Sequence, residues 1–355
     1  MSIRHPSQQI LSDLEELFPQ VASDLRCWEG KNLLITGGTG FFGKWLLEAL
    51  HFSREIGKIR LGQICVLSRD PEAFVSAHPH LQNFDFIQGD IRSFKFPKLK
   101  LHGLIHGATT ASAKLNSENP TEMFETIVEG TKQALRCAEN SPGCRLLMIS
   151  SGAVYGKKTL KDGPSKEEDF PFYDRTILGD AYADGKREAE RLVVSPEFNG
   201  TSVIARCFAF VGPYLPLREH FAIGNFIANV LDGEEILIKG DGSPIRSYLY
   251  ATELIQTLFR IISRGTPSQV YNVGSGNPIS IKQLAEKTTF TAQLLGLKPK
   301  GIRIRSEGPE ASDPATYFPS VARTSKNLNL ETKIDLSQAI SRTLCYHLKL
   351  SGLKQ

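Results

Sequence analysis

Short apolar runs alternate with longer segments of helical periodicity along the first 207 residues. The apolar runs predict strands over residues 33–36, 63–68, 84–88, 103–107, 145–150 and 202–207. The segments between them predict helices around 44–52, 119–137 and 182–194. Because strands and helices alternate, we expect a doubly wound α/β fold, with a parallel sheet covered by helices on both faces.

Two regions flank this alternation. Residues 1–30 predict an amphipathic helix packed on the main body, with a partner-binding arm as the alternative. Its apolar positions are Ile10, Leu14, Leu17, Phe18, Val21 and Leu25. After residue 207, Gly- and Pro-rich loops precede a predicted helix near 252–262. We therefore expect an N-terminal extension over 1–30, a sheet domain over 31–207 to which 241–274 return, and a smaller lobe from 208–240 and 275–355.

Composition narrows the class of protein. The 355 residues are 41% hydrophobic and 23% charged, as is usual for a globular chain, and the net charge of +4 is too small and too dispersed to indicate a nucleic-acid partner.

None of the six cysteines forms a Cys-x-x-Cys pair, which fits free thiols in a reducing compartment. The eight histidines show no ligand spacing, so we expect no metal. With no apolar run of roughly 18 residues and no signal pattern, we expect a cytoplasmic protein without membrane contact.

Three glycines, Gly37, Gly40 and Gly43, join the first predicted strand to a helical segment. Glycine permits a sharp turn and the close approach of a phosphate to the backbone. The following helix start offers unpaired N–H groups and the positive end of its dipole to a pyrophosphate. A strained surface loop is the alternative, but the flanking strand and helix favour a Rossmann-type dinucleotide site.

A second group of residues predicts acid–base chemistry. Tyr182 and Lys186 lie four residues apart at the start of a predicted helix, which places them on one face. A nearby ammonium lowers the pKa of a phenol, which would suit Tyr182 to act as general acid or base toward a sugar or alcohol hydroxyl. Ser150 and Ser151 end the fifth predicted strand, where a hydroxyl would face the cofactor. An accidental surface pair is the alternative for Tyr-x-x-x-Lys alone, but the motifs in this order are stronger together.

In these motifs the chain resembles the extended short-chain dehydrogenases/reductases of the nucleotide-sugar epimerase/dehydratase group, over about residues 30–345. The resemblance implies an NAD(P)-binding sheet domain, a substrate-binding lobe and a catalytic triad of Ser151, Tyr182 and Lys186. Further segments that carry it are Gly89-Asp90-Ile91, Arg206 with Gly212-Pro213, Gly240-Asp241-Gly242, Arg246-Ser247-Tyr248 and Tyr271-Asn272-Val273-Gly274.

The resemblance also implies ligand contacts. Arg246 would contact the phosphates of a nucleotide sugar, with Arg206 and Asn225 as further substrate residues, and two copies would pair through the helices around 119–137 and 182–194. The cofactor would be held by Gly37, Thr39, Gly40, Phe41, Phe42, Gly43, Ser68, Arg69, Asp90, Ile91, Ala108, Thr109, Ser150, Tyr182 and Lys186.

The chain departs from this family at three positions. Gly152 and Ala153 stand where 4,6-dehydratases carry an Asp-Glu pair and where decarboxylases of UDP-glucuronate carry a Glu, so both activities are disfavoured. Ala209 stands near the place of a usual Asn, which indicates an atypical substrate.

The second predicted strand ends in Ser68-Arg69-Asp70. An acidic residue at this tip normally binds the 2′-hydroxyl of NAD, whereas an Arg fork suits a 2′-phosphate. We therefore favour NADP over NAD. The alternative is that Asp70 binds the NAD ribose and Arg69 points to solvent.

Together these features predict an NAD(P)-dependent enzyme that modifies a nucleotide-activated sugar through a 4-keto intermediate. The first interpretation is a hexose epimerase. An NADPH-dependent 4-keto-sugar reductase is the second interpretation, because the same triad serves both reactions. A nucleotide-binding protein without catalytic activity is the third.

Overall fold

The computed structural model describes residues 7–109, 113–169, 180–219, 221–305 and 313–350. Its centre is a parallel sheet of seven strands in the order β12-β7-β5-β4-β1-β2-β3, which confirms the doubly wound α/β fold. These strands are β1 (Leu33–Thr36), β2 (Ile64–Ser68), β3 (Asp85–Gln88), β4 (Gly103–His106), β5 (Arg145–Ser151), β7 (Thr201–Cys207) and β12 (Val270–Val273).

Helices cover both faces of this sheet. One face packs against α5 (Pro120–Glu139) and α6 (Ala181–Val193), which also contact each other and α4 (Ala113–Glu118). The other face packs against α2 (Phe41–Glu55) and α8 (Ala251–Arg264), and the short α3 (Pro71–Ala77) lies beside β3. The six strands predicted before residue 207 agree with the structure to within one residue, and all of them except the edge strand β3 are largely buried, which is why they read as continuous apolar runs.

The first helix, α1 (Gln8–Arg26), forms an additional layer over α2 and α8. Its apolar face is buried in the same core as those two helices. Polar contacts fix its position, because the buried carboxylate of Asp13 accepts a hydrogen bond from Tyr250 at 2.5 Å and that of Asp24 pairs with Arg260 at 2.6 Å. The indole of Trp28 donates to Ser263 at 2.8 Å, also on α8. Residues 7–30 are therefore part of the folded body in this structure.

The smaller lobe has its own core around α7 (Ala222–Leu231), α9 (Ile281–Leu294) and α11 (Leu336–Leu350). A four-stranded sheet in the order β13-β10-β15-β6 connects this lobe to the end of β5. It comprises β6 (Lys158–Thr159), β10 (Ile245–Arg246), β13 (Ile279–Ser280) and β15 (Ala315–Tyr317). The remaining elements are β8 (Phe210–Val211), β9 (Ile236–Ile238), β11 (Leu249–Tyr250), β14 (Ile302–Ile304) and α10 (Ala322–Leu328).

Candidate active site

The glycine turn after β1 is closely packed against neighbouring backbone. Gly37 has a φ of +75°, and a Cβ there would lie 2.7 Å from the carbonyl carbon of Gly107, which follows β4. A Cβ at Gly43 would lie 2.3 Å from Cα of Gly38. Gly40 precedes α2 as its N-cap and supplies no side-chain acceptor, so the first N–H groups of α2 are available to an anion. This cradle fits the pyrophosphate of a dinucleotide.

Thr39 and Phe41 lie on the same turn and are half-buried. Phe42 continues it, and its ring meets that of Phe210 edge-on at 5.0 Å. The aromatic pair packs the start of α2 against β8, which leads into the smaller lobe.

The end of β4 is organised by a buried histidine. Nδ1 of His106 lies 2.9 Å from Oγ1 of Thr36, and Nε2 lies 3.2 Å from Oγ1 of Thr131. The Thr131 hydroxyl donates to a carbonyl of α5 at 2.7 Å, so it accepts from Nε2–H, and Nδ1 then accepts from Thr36. Burial lowers the pKa of His106 to about 3, which keeps the ring neutral.

This network positions the residues that follow β4. The N–H of Ala108 donates to Oγ1 of Thr36 at 3.2 Å, beside the glycine turn. The Oγ1 atom of Thr109 is buried and has no hydrogen-bond partner among the described residues. An unpaired hydroxyl at this edge is a group that a cofactor would satisfy.

The tips of β2 and β3 carry the residues that are expected to set the cofactor preference. Oγ of Ser68 accepts from the N–H of Asp70 at 3.2 Å, and the Asp70 carboxylate in turn caps α3. The carboxylate of Asp90 is held by Arg92 through bonds of 2.8 and 3.0 Å. Arg92 and, more weakly, Arg69 lower the pKa of Asp90, so two guanidinium groups face this edge.

Ile91, between the two charged residues Asp90 and Arg92, is buried against α5. A Cβ at Gly130 of that helix would lie 3.0 Å from the Ile91 side chain. Ile91 therefore packs the segment that follows β3 closely against α5.

The structure brings Ser151, Tyr182 and Lys186 together at the end of β5. Nζ of Lys186 lies 5.8 Å from the centroid of the Tyr182 ring and donates to the carbonyl of Ile149 at 2.9 Å. Ser151 lies close enough to Tyr182 to lower the pKa of its phenol, and the serine Oγ accepts from the N–H of Ala153 at 3.1 Å. The start of α6 is held by Asn116, which accepts from the N–H of Tyr182 at 3.0 Å.

The charge states of this group differ from the sequence-based expectation. Burial raises the pKa of Tyr182 to about 12, although the nearby Ser151 opposes the shift. Burial lowers the pKa of Lys186 to about 8. The expected lowering of the phenol pKa by Lys186 is thus absent here, because desolvation dominates and the ammonium bonds to a carbonyl. Tyr182 is a neutral phenol at neutral pH.

An aromatic cluster occupies the space beside the triad. The ring of Phe208 packs between Tyr155, at 6.0 Å, and Tyr317, at 4.9 Å. A Cβ at Gly152 would lie 2.6 Å from Cε1 of Phe208. A carboxylate side chain at position 152 would collide with this ring, so the glycine is a steric requirement of the site. The Oη atom of Tyr317 lies 3.3 Å from Oγ of Ser151.

Ser150 and Arg206 both bond to Glu190 of α6. Arg206 donates to both oxygens of Glu190 at 3.0 and 2.7 Å, and its guanidinium stacks on Tyr155 at 4.8 Å. Ser150 donates to the same carboxylate at 2.5 Å. These groups are buried, so the structure places Ser150 and Arg206 in a buried ion-pair network instead of an open binding surface.

The other two expected substrate residues lie in the smaller lobe. Asn225, in the first turn of α7, donates to the carbonyls of Glu219 at 2.7 Å and Phe221 at 3.1 Å. Arg246 lies on β10 with its guanidinium 5.8 Å from the centroid of the Tyr317 ring. It donates to the carbonyl of its neighbour Ile245 at 2.8 Å. Only Arg246 is thus linked to the catalytic group, through Tyr317.

Sequence reasoning missed several residues of the site. Tyr317, Phe208 and Cys207 surround the triad, and burial raises the pKa of the Cys207 thiol. Of the missed residues, Glu190 could have been found from the sequence, since it follows Lys186 by four residues on the same helix and so shares its face. Within the described ranges, no group of three or more His, Cys, Asp or Glu side chains is arranged to hold a metal. In the same part of the chain, none of the helices has the length and apolar character needed to cross a bilayer.

Comparison with known proteins adds independent information. Residues 33–274 match the model of the NAD dependent epimerase/dehydratase family. The curated UDP-glucuronic acid decarboxylase 6 of Arabidopsis thaliana is 27% identical over 310 residues, covering 87% of this chain and 86% of that protein.

Solved structures show the same fold. An epimerase of Methanothermobacter thermautotrophicus superposes with a TM-score of 0.76 at 22% identity, covering 95% of this chain and 97% of the other. The UDP-glucose 4-epimerase of Thermotoga maritima, solved with UDP-glucose, gives a TM-score of 0.73 at 19% identity, covering 90% and 99%.

Proposed function

Because the chain belongs to the NAD-dependent epimerase/dehydratase family, whose members are enzymes of the extended short-chain dehydrogenase/reductase type, we propose that it is a nucleotide-hexose 4-epimerase. The reaction would oxidise the sugar at C4 and then reduce the 4-keto group from the opposite face. The observation that carries the proposal is the meeting of Ser151, Tyr182 and Lys186 beside a glycine cradle, with Gly152 closed off by Phe208.

The chain's own residues supply the proton transfers. The phenolate form of Tyr182 takes the proton of the 4-hydroxyl during oxidation, and the phenol so formed returns a proton to the same oxygen during reduction. Ser151 donates a hydrogen bond to that oxygen, and Lys186 would hold the cofactor beside it. Bound NAD(P) would accept the hydride from C4 and give it back. Because Tyr182 is protonated at neutral pH, it is ready to act as the acid of the reductive half.

The packing at Gly152 supports epimerisation over the other activities of the family. Dehydration and decarboxylation were disfavoured by the absence of carboxylates at Gly152 and Ala153, and the Phe208 ring leaves no room for one at 152. The likeness to UDP-glucuronic acid decarboxylases supports a UDP-sugar and oxidation at C4, at an identity too low to assign the product.

A product assay tests the proposal. The purified protein is incubated with NAD⁺ and, separately, with UDP-glucose, UDP-N-acetylglucosamine or UDP-glucuronic acid, and the products are resolved by chromatography and proton NMR. We expect the 4-epimer from one of the first two. The variant Tyr182→Phe should lose about two to four orders of magnitude in turnover. Tyr271→Phe removes a buried phenol hydroxyl that accepts from Thr266 and is the matched control. Release of CO₂ from UDP-glucuronic acid, with a pentose product, would replace the proposal by a decarboxylase.

A 4-keto-sugar reductase is the second candidate, favoured by the neutral phenol of Tyr182 and by the two guanidinium groups at the cofactor edge. Such an enzyme would consume NADPH stoichiometrically and would be purified without bound cofactor. Mass spectrometry of the protein as isolated distinguishes the two, because an epimerase that recycles its hydride retains its cofactor.

We also propose that NADP binds more tightly than NAD. Asp70 caps α3, so its carboxylate is engaged away from a ribose 2′-hydroxyl, while Arg69 and Arg92 lie near Asp90. A guanidinium pair suits a 2′-phosphate. Dissociation constants for both cofactors test this, and Arg69→Ala should weaken NADP binding selectively. Tighter binding of NAD by the unmodified protein would contradict it.

A homodimer through α5 and α6 remains our expectation. The two helices pack together on one face of the sheet, and the side chain of Phe124 on α5 is 37% exposed there. Light scattering measures the molar mass, and Phe124→Asp should shift it toward the monomer.

A further inference from the structure

Tyr317 stands at the catalytic serine although it comes from the smaller lobe, 166 positions further along the chain. It lies at the end of β15, and its Oη is 3.3 Å from Oγ of Ser151. The ring is held by Phe208 at 4.9 Å on one side and by the guanidinium of Arg246 at 5.8 Å. These contacts fix the phenol with its hydroxyl directed at the serine.

The hydrogen-bonding capacity of Ser151 determines what its contact with Tyr317 can do. A serine hydroxyl has one hydrogen to donate and two positions at which to accept. The N–H of Ala153 occupies one accepting position at 3.1 Å. If Tyr317 donates into the second, the single hydrogen of Ser151 has to point elsewhere, and it can point toward Tyr182, whose pKa the nearby serine lowers.

We propose that Tyr317 is a positioning residue for Ser151, whose hydrogen it orients toward Tyr182 and the reacting sugar oxygen. The inference rests on the proposed function, since it assigns a role within the same reaction. The hydroxyl of Tyr317 donates to Oγ of Ser151, and Ser151 donates onward. No proton leaves either residue during the reaction.

The strand register links the Tyr317–Ser151 contact to the binding of the substrate. β10 and β15 are parallel neighbours, and Arg246 is the register partner of Tyr317. Arg246 also donates to the carbonyl of Ala315, two residues before Tyr317, at 3.4 Å. Arg246 is the residue expected to contact the phosphates of the nucleotide. A phosphate bound there would set the position of the strand that carries Tyr317, so orientation of Ser151 depends on the nucleotide part of the substrate.

A double-mutant cycle tests the proposal with whichever of UDP-glucose, UDP-galactose and UDP-N-acetylglucosamine the unmodified protein converts. Tyr317→Phe keeps the ring and removes only the hydroxyl. We expect turnover to fall about tenfold, as for a lost hydrogen bond, with KM within about twofold. Ser151→Ala combined with Tyr317→Phe should be no slower than Ser151→Ala alone, because both changes remove one function.

The pH profile gives a second measurement. Loss of an oriented hydrogen bond to Tyr182 destabilises its phenolate, so the apparent pKa of the rising limb of kcat should increase by about 0.5 to 1 unit in Tyr317→Phe. A purely structural role would leave this pKa unchanged. Tyr271→Phe again serves as the control.

The outcomes separate the two proposals. If the unmodified protein converts none of the three sugars, or if Tyr182→Phe keeps normal turnover, the proposed function is wrong and the inference is lost with it. If Tyr182→Phe is inactive but Tyr317→Phe keeps normal kcat and an unshifted pH profile, only the role of Tyr317 is overturned. Losses that add in the double variant would also overturn it, because Tyr317 would then act independently of Ser151.

Discussion

The buried pair of Arg206 and Glu190 should be a main determinant of stability. Both side chains are about one-tenth exposed, and the guanidinium makes bonds of 2.7 and 3.0 Å to the two carboxylate oxygens. Arg206→Met removes one partner and leaves the Glu190 charge in a dry environment, with Ser150 as its only remaining donor among the described residues. Breaking a buried pair in this way costs about 3–5 kcal/mol of unfolding free energy.

Urea denaturation followed by circular dichroism measures this cost. The double variant Arg206→Met with Glu190→Leu removes both charges, and we expect it to recover most of the loss, because paired replacement by apolar groups is often neutral. Arg191→Met is the control, since Arg191 forms an exposed pair of 3.9 Å with Glu188 on the same helix and should cost under about 1 kcal/mol.

The pH dependence of Arg206→Met gives a further check. An unpaired buried carboxylate has its pKa raised, so it contributes stability below its unfolded pKa that is lost as pH rises through the raised value. The variant should therefore be less destabilised at pH 5 than at pH 8. A loss below about 1 kcal/mol, together with a tenfold weaker affinity for UDP, would refute this reasoning and return Arg206 to the role of a substrate residue.

Three further predictions concern His106, Lys186 and the glycine turn. The pKa of His106 is lowered from 6.5 to about 3, so the stability that its neutral ring contributes above pH 6.5 is lost as the pH falls toward 3. The loss should reach up to about 5 kcal/mol of unfolding free energy. Measurements between pH 7 and 4 should show this slope, and His106→Gln should flatten it. Lys186 has a pKa of about 8, so turnover that needs its ammonium should decline above pH 8, and Lys186→Arg should move that limb upward. Gly43→Ala should weaken NADPH binding in a fluorescence titration by more than about tenfold, because a Cβ there meets backbone at 2.3 Å, whereas Gly240→Ala, with nothing within 4 Å, should bind normally.

The elements that the sequence predicted well are those whose signal is local. The strands of the central sheet are apolar runs because both faces are buried, and the glycine turn and the Tyr182–Lys186 pair depend on spacing within a few residues. The strands of the smaller lobe, such as β10 and β6, are two residues long and exist only through their partners. No periodicity can predict strands of that length.

The side-chain environment of the site was less predictable, because it depends on residues distant in sequence. Arg206 has the same chemistry whether it meets a phosphate or Glu190, and the packing of α6 beside β7 decides between them. Tyr317 reaches Ser151 through the pairing of β15, for which the sequence contains no local signal. The pKa of Tyr182 was expected to fall because its neighbour is a cation, but the degree of burial, which is a property of the whole fold, reversed the direction.

The position of α1 has a consequence for biosynthesis. Its apolar face and the carboxylate of Asp24 are covered by α8, whose first residue, Ala251, follows the end of α1 by more than half of the chain. At translation rates of about 5–20 residues per second, this face would wait roughly 10 to 50 seconds for its partner to be synthesised. During that interval the part of α1 that α8 covers would stay exposed on the ribosome and could bind chaperones, although α1 also packs on α2. Burial of the α1 face is thus completed only when α8 emerges.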